Sequence, residues 1–270
     1  MPELPEVETS VQAIQEFNNQ KLQSIQVYNP NLRWKVDIAS LQKIKNQMVY
    51  KISRRAKYIL FNLEKSQLLL HLGMSGTIRI SQKNSNLYKK HDHIELVFKK
   101  EKIIFNDPRR FGSIHLISSP YNHFLLNKLG PEPLSENFNG EYFYQKIKNS
   151  LAPIKSALMN QHNVVGIGNI YANEVLFDAR IRPTRKCRTL TKKETISIDF
   201  SIKKILNRAI ELGGTTLKDF HQPDGNKGYF KIELSVYDRA DKKCKACKKQ
   251  SIKKIILAQR ATYFCKDCQN

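Results

Sequence analysis

Long apolar runs are missing from this chain. No stretch approaches the roughly 20 consecutive apolar residues that a membrane-spanning helix needs, which excludes a transmembrane architecture of that kind. Acidic residues are scarce: 24 Asp and Glu stand against 46 Lys and Arg, leaving a formal net charge of +22 over 270 residues. Biased coding toward Lys inflates the basic count but does not by itself remove compensating acids, so the imbalance points to a polyanionic partner, nucleic acid first. Cysteines number only five, and four of them cluster near the C-terminus, which fits a reducing compartment and a metal better than a disulfide framework. The start, Met1-Pro-Glu-Leu-Pro-Glu6, has acids where a secretory signal has bases and lacks an apolar core, so a cytosolic protein is expected. There is no internal repeat and no low-complexity tract. At 40% hydrophobic and 26% charged, the composition is that of a folded globular chain with room for two domains, or one large domain and a small appendage.

Val7, Val11, Ile14 and Phe17 recur at steps of three and four, which predicts a first helix from Pro5 or Glu6 to Phe17 with one buried face. To about residue 118 the pattern then becomes short runs rich in branched residues. Strands are expected at 58–63, 67–72, 77–80, 94–98 and 102–105, in an antiparallel β-sandwich or barrel-like layer. The turn-rich segment 129–140 marks a domain boundary. Helical periodicity returns at 141–148, 153–161, 170–177 and 191–212, and Gly213-Gly214 ends the last of these before a polar loop. The fold class expected is α+β and multi-domain: an N-terminal antiparallel β-sandwich with flanking helices (1–130), a helical domain with a polar loop (131–234), and a C-terminal β-hairpin ribbon (235–270).

Cys244-Lys-Ala-Cys247 and Cys265-Lys-Asp-Cys268 are separated by 17 residues, the two-pair spacing of a tetrahedral thiolate site. Four protein ligands leave no open position, so one structural Zn2+ that folds the last segment is expected; redox-active dithiols are the alternative. Cys187 has no partner in the sequence and reads as a free thiol. Residues 257–264 form the expected hairpin of the ribbon. Between 227 and 270 there are twelve basic and four acidic side chains, a concentration suited to phosphate contacts or to a plainly solvated face.

If the initiator Met is removed, Pro2 becomes a secondary amine with Glu3 and Glu6 close by. An α-amino group has a pKa near 8, so it is partly unprotonated at neutral pH and can attack an electrophilic carbon to form an iminium. The alternative is a Pro-rich rigid entry to the first helix.

Motifs along the entire chain resemble those of bacterial formamidopyrimidine-DNA glycosylases: Met1-Pro-Glu-Leu-Pro-Glu-Val-Glu-Thr9, Arg54-Arg-Ala-Lys-Tyr58, His71-Leu-Gly-Met-Ser-Gly76, Lys90-His-Asp-His93, Asp107-Pro-Arg-Arg-Phe-Gly112, Leu129-Gly-Pro-Glu-Pro133, Val165-Gly-Ile-Gly-Asn-Ile-Tyr-Ala172, Gly213-Gly-Thr-Thr216 and Gln259-Arg-Ala-Thr262. The related endonuclease-eight branch usually begins Pro-Glu-Gly-Pro-Glu, so Leu4 favours the oxidised-purine branch. The resemblance implies a bifunctional glycosylase and abasic-site lyase that takes 8-oxoguanine and formamidopyrimidines out of double-stranded DNA, working as a monomer in the cytoplasm with DNA in a basic cleft. It names the helical domain as helix-two-turns-helix and the ribbon as a zinc finger.

Residue by residue, the resemblance assigns Pro2 as the nucleophile, Glu3 as the proton shuttle, and Lys57 and Arg260 to the two phosphate eliminations. Because a glycosylase extrudes its target nucleotide, the vacancy must be filled. Met74, Arg109 and Phe111 match the filling residues, with Arg109 also reading the widowed cytosine; core packing is the other reading for Met74 and Phe111, and an acidic partner for Arg109. His91, Lys155, Asn169 and Tyr237 match DNA-backbone contacts, Asn169 at a helix start where it also reads as an N-cap. Glu6, Thr215, Thr216 and Lys218 match the lesion-covering region, and Cys244, Cys247, Cys265 and Cys268 the zinc ligands. Three departures stand out. No glycine follows the first cysteine pair, Tyr237-Asp-Arg-Ala-Asp241 replaces a more glycine-containing stretch, and Ser150 stands where a basic residue is common. The rival readings are an oxidised-pyrimidine glycosylase and a non-catalytic architectural DNA binder.

Overall fold

The computed structural model describes residues 1–85, 88–117, 122–215 and 230–270, and they divide into two compact units: Met1–Asn127 with Ile210–Lys231, and Lys128–Ala209 with Ile232–Asn270. The segment just after residue 209 thus belongs with the first unit rather than with the helices that precede it.

In the first unit, α1 (Leu4–Ala13) buries Leu4, Val7 and Val11, and a single 3-10 turn (Gln15–Phe17) carries the apolar stripe on to Phe17. The helix is therefore shorter than its periodicity suggests, because Ile14 leaves helical geometry while keeping its side chain in the core. Strands β1 (Gln20–Lys21) and β2 (Ser24–Val27) follow, then the short helix α2 (Ile38–Gln42), capped by Asp37, which accepts the Ser40 N–H at 3.0 Å. Strands β3 (Met48–Arg55), β4 (Tyr58–Leu63), β5 (Gln67–His71), β6 (Thr77–Gln82), β7 (Asp92–Val97), β8 (Glu101–Asn106) and β9 (Ser113–Ile117) complete two antiparallel sheets, ordered β1-β3-β4-β5-β9 and β2-β7-β8-β6. Ile52, Ile59, Phe61 and Leu68 from one sheet and Ile25, Ile78, Ile94 and Phe105 from the other belong to one buried cluster, which makes this the expected β-sandwich.

The second unit contains α3 (Gly140–Ile147), α4 (Ile154–Met159), α5 (Asn169–Asp178) and most of α6 (Lys192–Glu211), all within two residues of the periodicity-based ranges. After the single turn α7 (Phe230–Glu233), β10 (Lys253–Leu257) and β11 (Arg260–Phe264) form the hairpin of the ribbon. Helix α5 packs against β11, and eight of its ten residues are buried, which explains why it shows little amphipathic contrast. No helix among the described residues is long and apolar enough to cross a membrane.

Candidate active site

The site in the first unit starts at the entry to α1. Pro2 is buried, as are Glu3 and Glu6, at 2% and 1% exposure. Glu3 is the N-cap, and its backbone N–H donates to Glu6 Oε2 at 2.9 Å, the reciprocal arm of a capping box. Glu6 Oε1 accepts the backbone N–H of Thr215 at 2.8 Å and its hydroxyl at 2.9 Å. Gly214 (φ +77°) makes this approach possible, since a Cβ there would stand 3.0 Å from that same carboxylate oxygen. Thr216, Lys218 and the rest of the loop fall outside the described residues. While Met1 is attached, the Pro2 nitrogen is an amide; its removal creates the secondary amine.

Lys57 occupies the tight turn between β3 and β4, beside Ala56 in left-handed geometry (φ 53°). Arg54 braces this turn, donating from Nη1 to the Ala56 carbonyl at 2.9 Å and from Nε to Glu8 at 2.6 Å. Although at a hairpin tip, Lys57 is only 7% exposed. Nearby His71 is held neutral: burial, then the charges of Lys57 and Arg33, push its pKa down to about 4. Its Nδ1 accepts the Gly73 N–H at 3.0 Å, and its ring lies 4.9 Å from that of Tyr58. In the sequence His71 closes an apolar strand immediately before Leu-Gly-Met, the local signal that sets it apart from the residues around it.

The loop bearing Met74 and the turn bearing Arg109 and Phe111 abut. Gly73 (φ +68°) approaches so closely that a Cβ on it would stand 2.4 Å from the Gly112 nitrogen. Phe111 is 43% exposed, with the Arg109 guanidinium 5.0 Å above its ring, which removes the core reading for Phe111. Met74 is half-buried. His91, also half-buried, has a positive φ of 75° in the turn before β7.

In the second unit, Lys155 and Asn169 converge on the hairpin. Lys155 is 1% exposed, and its ammonium donates to the Ala261 carbonyl at 2.9 Å and Thr262 Oγ1 at 2.7 Å. Asn169 Nδ2 donates to the same carbonyl at 3.1 Å, and Asn173 Oδ1 accepts the Tyr263 N–H at 2.7 Å. Asn169 is the first helical residue of α5, with Gly168 at the cap position. Arg260 is exposed at the hairpin tip, directly after Ala258 and Gln259, whose φ values of 47° and 58° are those of a type I′ turn.

Glu174, to which the sequence assigns no role, accepts the backbone N–H groups of Ser235, Val236 and Tyr237 at 2.7–2.9 Å. It thereby fixes the backbone of Tyr237, whose half-buried ring meets that of Tyr263 edge-on at 5.2 Å.

The sulfurs of Cys244, Cys247, Cys265 and Cys268 all lie within 4.8 Å of one another, with Cys244–Cys268 at 3.8 Å and Cys247–Cys265 at 3.7 Å. Tetrahedral Zn–S bonds of about 2.3 Å require sulfurs roughly 3.8 Å apart. The donor set therefore fits Zn2+, and its four thiolates fill the coordination sphere. Cys187 is buried away from this cluster.

Two family models match the chain: the formamidopyrimidine-DNA glycosylase N-terminal domain over residues 1–114 and the formamidopyrimidine-DNA glycosylase H2TH domain over 129–221. Over the full chain it is 46% identical to the formamidopyrimidine-DNA glycosylase of Hydrogenovibrio crunogenus, covering 96% of that protein. The chain belongs to the formamidopyrimidine-DNA glycosylase family. Two similar solved structures are a Lactococcus lactis FPG mutant in complex with Fapy-dG containing DNA (36% identity, TM-score 0.90, both chains covered in full) and L. lactis Fpg with abasic-site DNA (35%, 0.90, 99% of each chain).

Two of the three departures from the formamidopyrimidine-DNA glycosylase pattern share a backbone feature. Lys248, where a glycine often stands, adopts φ 58°, and its N–H donates to the Cys244 carbonyl at 3.0 Å. Asp238 and Asp241 likewise take positive φ, at 56° and 62°, in the stretch where glycines are more usual. These turns carry the steric cost of left-handed geometry in non-glycine residues. Ser150 instead turns inward to the chain, accepting the Ala152 N–H at 3.2 Å.

Proposed function

We propose that this chain is a base-excision repair enzyme, a glycosylase and abasic-site lyase that removes oxidised purines, 8-oxoguanine and formamidopyrimidines, from double-stranded DNA opposite cytosine. The observation that carries the reading is the start of the chain, Pro2-Glu3 capping α1 with Glu6 locked behind them, in a protein that belongs to the formamidopyrimidine-DNA glycosylase family. The L. lactis relatives bound to Fapy-dG and abasic DNA support the substrate class.

With Met1 gone, the Pro2 nitrogen attacks C1′ of the extruded nucleotide, the glycosidic bond breaks, and the oxidised base leaves with a proton. Glu3 protonates the ring oxygen as the sugar opens, which leaves an iminium on Pro2. The iminium acidifies C2′–H, and loss of that proton expels the 3′ phosphate; a second proton loss expels the 5′ phosphate, and water then frees Pro2. Lys57 and Arg260 neutralise the two departing phosphates. Met74, Arg109 and Phe111 fill the vacated stack, and the Arg109 fork reads the widowed cytosine. His91, Asn169 and Tyr237, with Lys155 behind the hairpin, hold the DNA backbone; Glu6, Thr215, Thr216 and Lys218 form the base-covering region. Cys244, Cys247, Cys265 and Cys268 hold one Zn2+, whose chemistry is structural: bound there it folds the ribbon that presents Arg260. A monomer in the bacterial cytoplasm suffices, because one lesion occupies one site.

Borohydride trapping on an 8-oxoguanine duplex tests the reading, once N-terminal mass confirms that Met1 is absent. Wild type is expected to give a covalent adduct, Pro2→Gly none, and Glu3→Gln little from the intact lesion. No adduct from the Met1-free wild type overturns the enzyme reading, and activity on thymine glycol far above that on 8-oxoguanine overturns the purine assignment. DNA binding should also weaken steeply as salt rises.

A further inference from the structure

We propose that Asp107 is a positioning residue that clasps the Met74 loop and the turn carrying Arg109 and Phe111 into one rigid insert, so that the three side chains enter the duplex as a unit. The inference rests on the reading that the chain acts on a nucleotide extruded from duplex DNA.

Asp107 follows β8 and has no exposed surface. Its Oδ1 accepts the Ser75 hydroxyl at 2.7 Å and, at 3.3 Å, the backbone N–H of Arg109. The other oxygen, Oδ2, accepts the Gly112 N–H at 2.7 Å. The main chain of Asp107 is equally committed: its N–H donates to the His91 carbonyl at 3.0 Å, and its carbonyl meets His93 Nε2 at 2.8 Å and the Arg110 N–H at 3.2 Å. A buried carboxylate is tolerated only when its lone pairs are filled in this way, and filling them from two loops ties those loops together.

The placement of the anchors relative to the exposed residues gives the clasp its consequence. Met74 stands between Gly73, pressed against Gly112, and Ser75, bonded to Asp107. Arg109 and Phe111 stand between Asp107 and Gly112, themselves joined through Oδ2. The span carrying Arg109 and Phe111 is thus pinned at both ends by one carboxylate, and Met74 is tied to that carboxylate on one side through Ser75 and packed on the other, through Gly73, against Gly112, while the side chains of Arg109 and Phe111 remain exposed. Insertion of three groups into one vacancy demands fixed relative positions, and errors of about 1 Å at such a site cost up to roughly a hundredfold.

The test uses the full-length, Met1-free protein with Ser75→Ala and Asp107→Asn. Trapping on a single-stranded abasic oligonucleotide, which has no opposite base to displace, is expected to stay within about twofold of wild type. Excision of 8-oxoguanine from duplex is expected to fall about tenfold, equivalent to 1.36 kcal/mol of transition-state stabilisation, with a weakened preference for cytosine over adenine opposite the lesion. In an Arg109→Ala, Phe111→Ala background the effect of Ser75→Ala should vanish. Fluorescence of 2-aminopurine beside an abasic site in duplex reads insertion without chemistry, and should rise less with Ser75→Ala than with wild type. Wild-type opposite-base preference and wild-type fluorescence in Ser75→Ala overturn the clasp, as does a loss that persists in the double-alanine background. Failure of wild type to trap the single-stranded substrate instead overturns the Pro2 reading, and the fluorescence arm still decides the clasp. Should Asp107→Asn not fold, Ser75→Ala carries the test alone.

Discussion

Glu6 and Thr215 are 209 positions apart in the chain, yet one carboxylate oxygen of Glu6 holds both the backbone N–H and the hydroxyl of Thr215, while its other oxygen holds the N–H of Glu3. The first residue of the segment that leads into the base-covering loop and the proposed proton shuttle therefore share one buried anion. Glu6→Gln replaces one acceptor with an amide donor and sets it against a backbone N–H. Loss of a buried hydrogen bond to a charged group costs about 1.5–3 kcal/mol, so the urea midpoint should fall accordingly. Excision of the intact base should fall more than cleavage of a preformed abasic site; equal losses on both substrates would show that Glu6 acts on stability alone.

Lys155 stands behind the hairpin rather than on its outer face. Its ammonium holds the carbonyl of Ala261 and the hydroxyl of Thr262, the two residues that follow Arg260. Lys155→Met keeps the volume and removes the donors, leaving Asn169 on the Ala261 carbonyl. If Arg260 serves the second elimination, the intermediate cut on one side only should accumulate, with the ratio of second to first elimination down about tenfold, or 1.36 kcal/mol. Denaturing gel analysis of the cleaved strand reads this directly, and an unchanged ratio removes Lys155 from the positioning of Arg260.

Local signals were legible and distant partnerships were not. The run from Tyr58 to Leu63 reads as a strand because it is short and rich in branched residues, and four of its six residues are buried; the long helix reads from the stripe of Ile198, Ile202, Ile205 and Ala209, of which Ile205 is half-buried and the others buried. The cysteine pairs announced a metal through spacing alone. Strand β3 was missed: a register shift between Val49 and Lys51 breaks the alternation that would have shown it. Lys155 reads as surface charge in any sequence, and its burial depends on a strand more than a hundred residues later. Glu174 is invisible for the same reason, since the three N–H groups it satisfies lie some sixty residues on. Family motifs located Asp107 and His71 but did not tell which atoms they hold.

The knuckle residue Lys248 offers a stabilising change. A non-glycine residue in left-handed geometry carries roughly 1 kcal/mol of steric cost, and this one sits at φ 58° one residue past a zinc-fitting cysteine. Lys248→Gly should relieve that cost and slow metal loss, by about fivefold for 1 kcal/mol. Release of zinc to a colorimetric chelator measures it. Faster release from the glycine variant would show that the Lys248 side chain contributes more than its backbone costs.

Acid should weaken the first unit through its histidines. His71 and His115 are both held down to about 4, His71 by burial and the charges of Lys57 and Arg33, His115 by burial and then His123. The unfolded chain protonates these rings near pH 6.5 and the native chain only near 4, so the stability tied to the neutral form is whole above pH 6.5 and drains away as pH falls toward 4. His115 is the better site to test, because its buried Nε2 has no hydrogen-bond partner among the described residues whereas His71 Nδ1 holds the Gly73 N–H. His115→Phe should leave the urea midpoint near wild type at pH 7.5 and above it at pH 5, flattening the acid slope. Zinc loss in acid affects both proteins alike, so the difference between their slopes isolates the histidine. Parallel slopes would mean that His115 binds its proton in the native protein as readily as in the unfolded chain, so that its half-buried place on β9 carries no acid penalty.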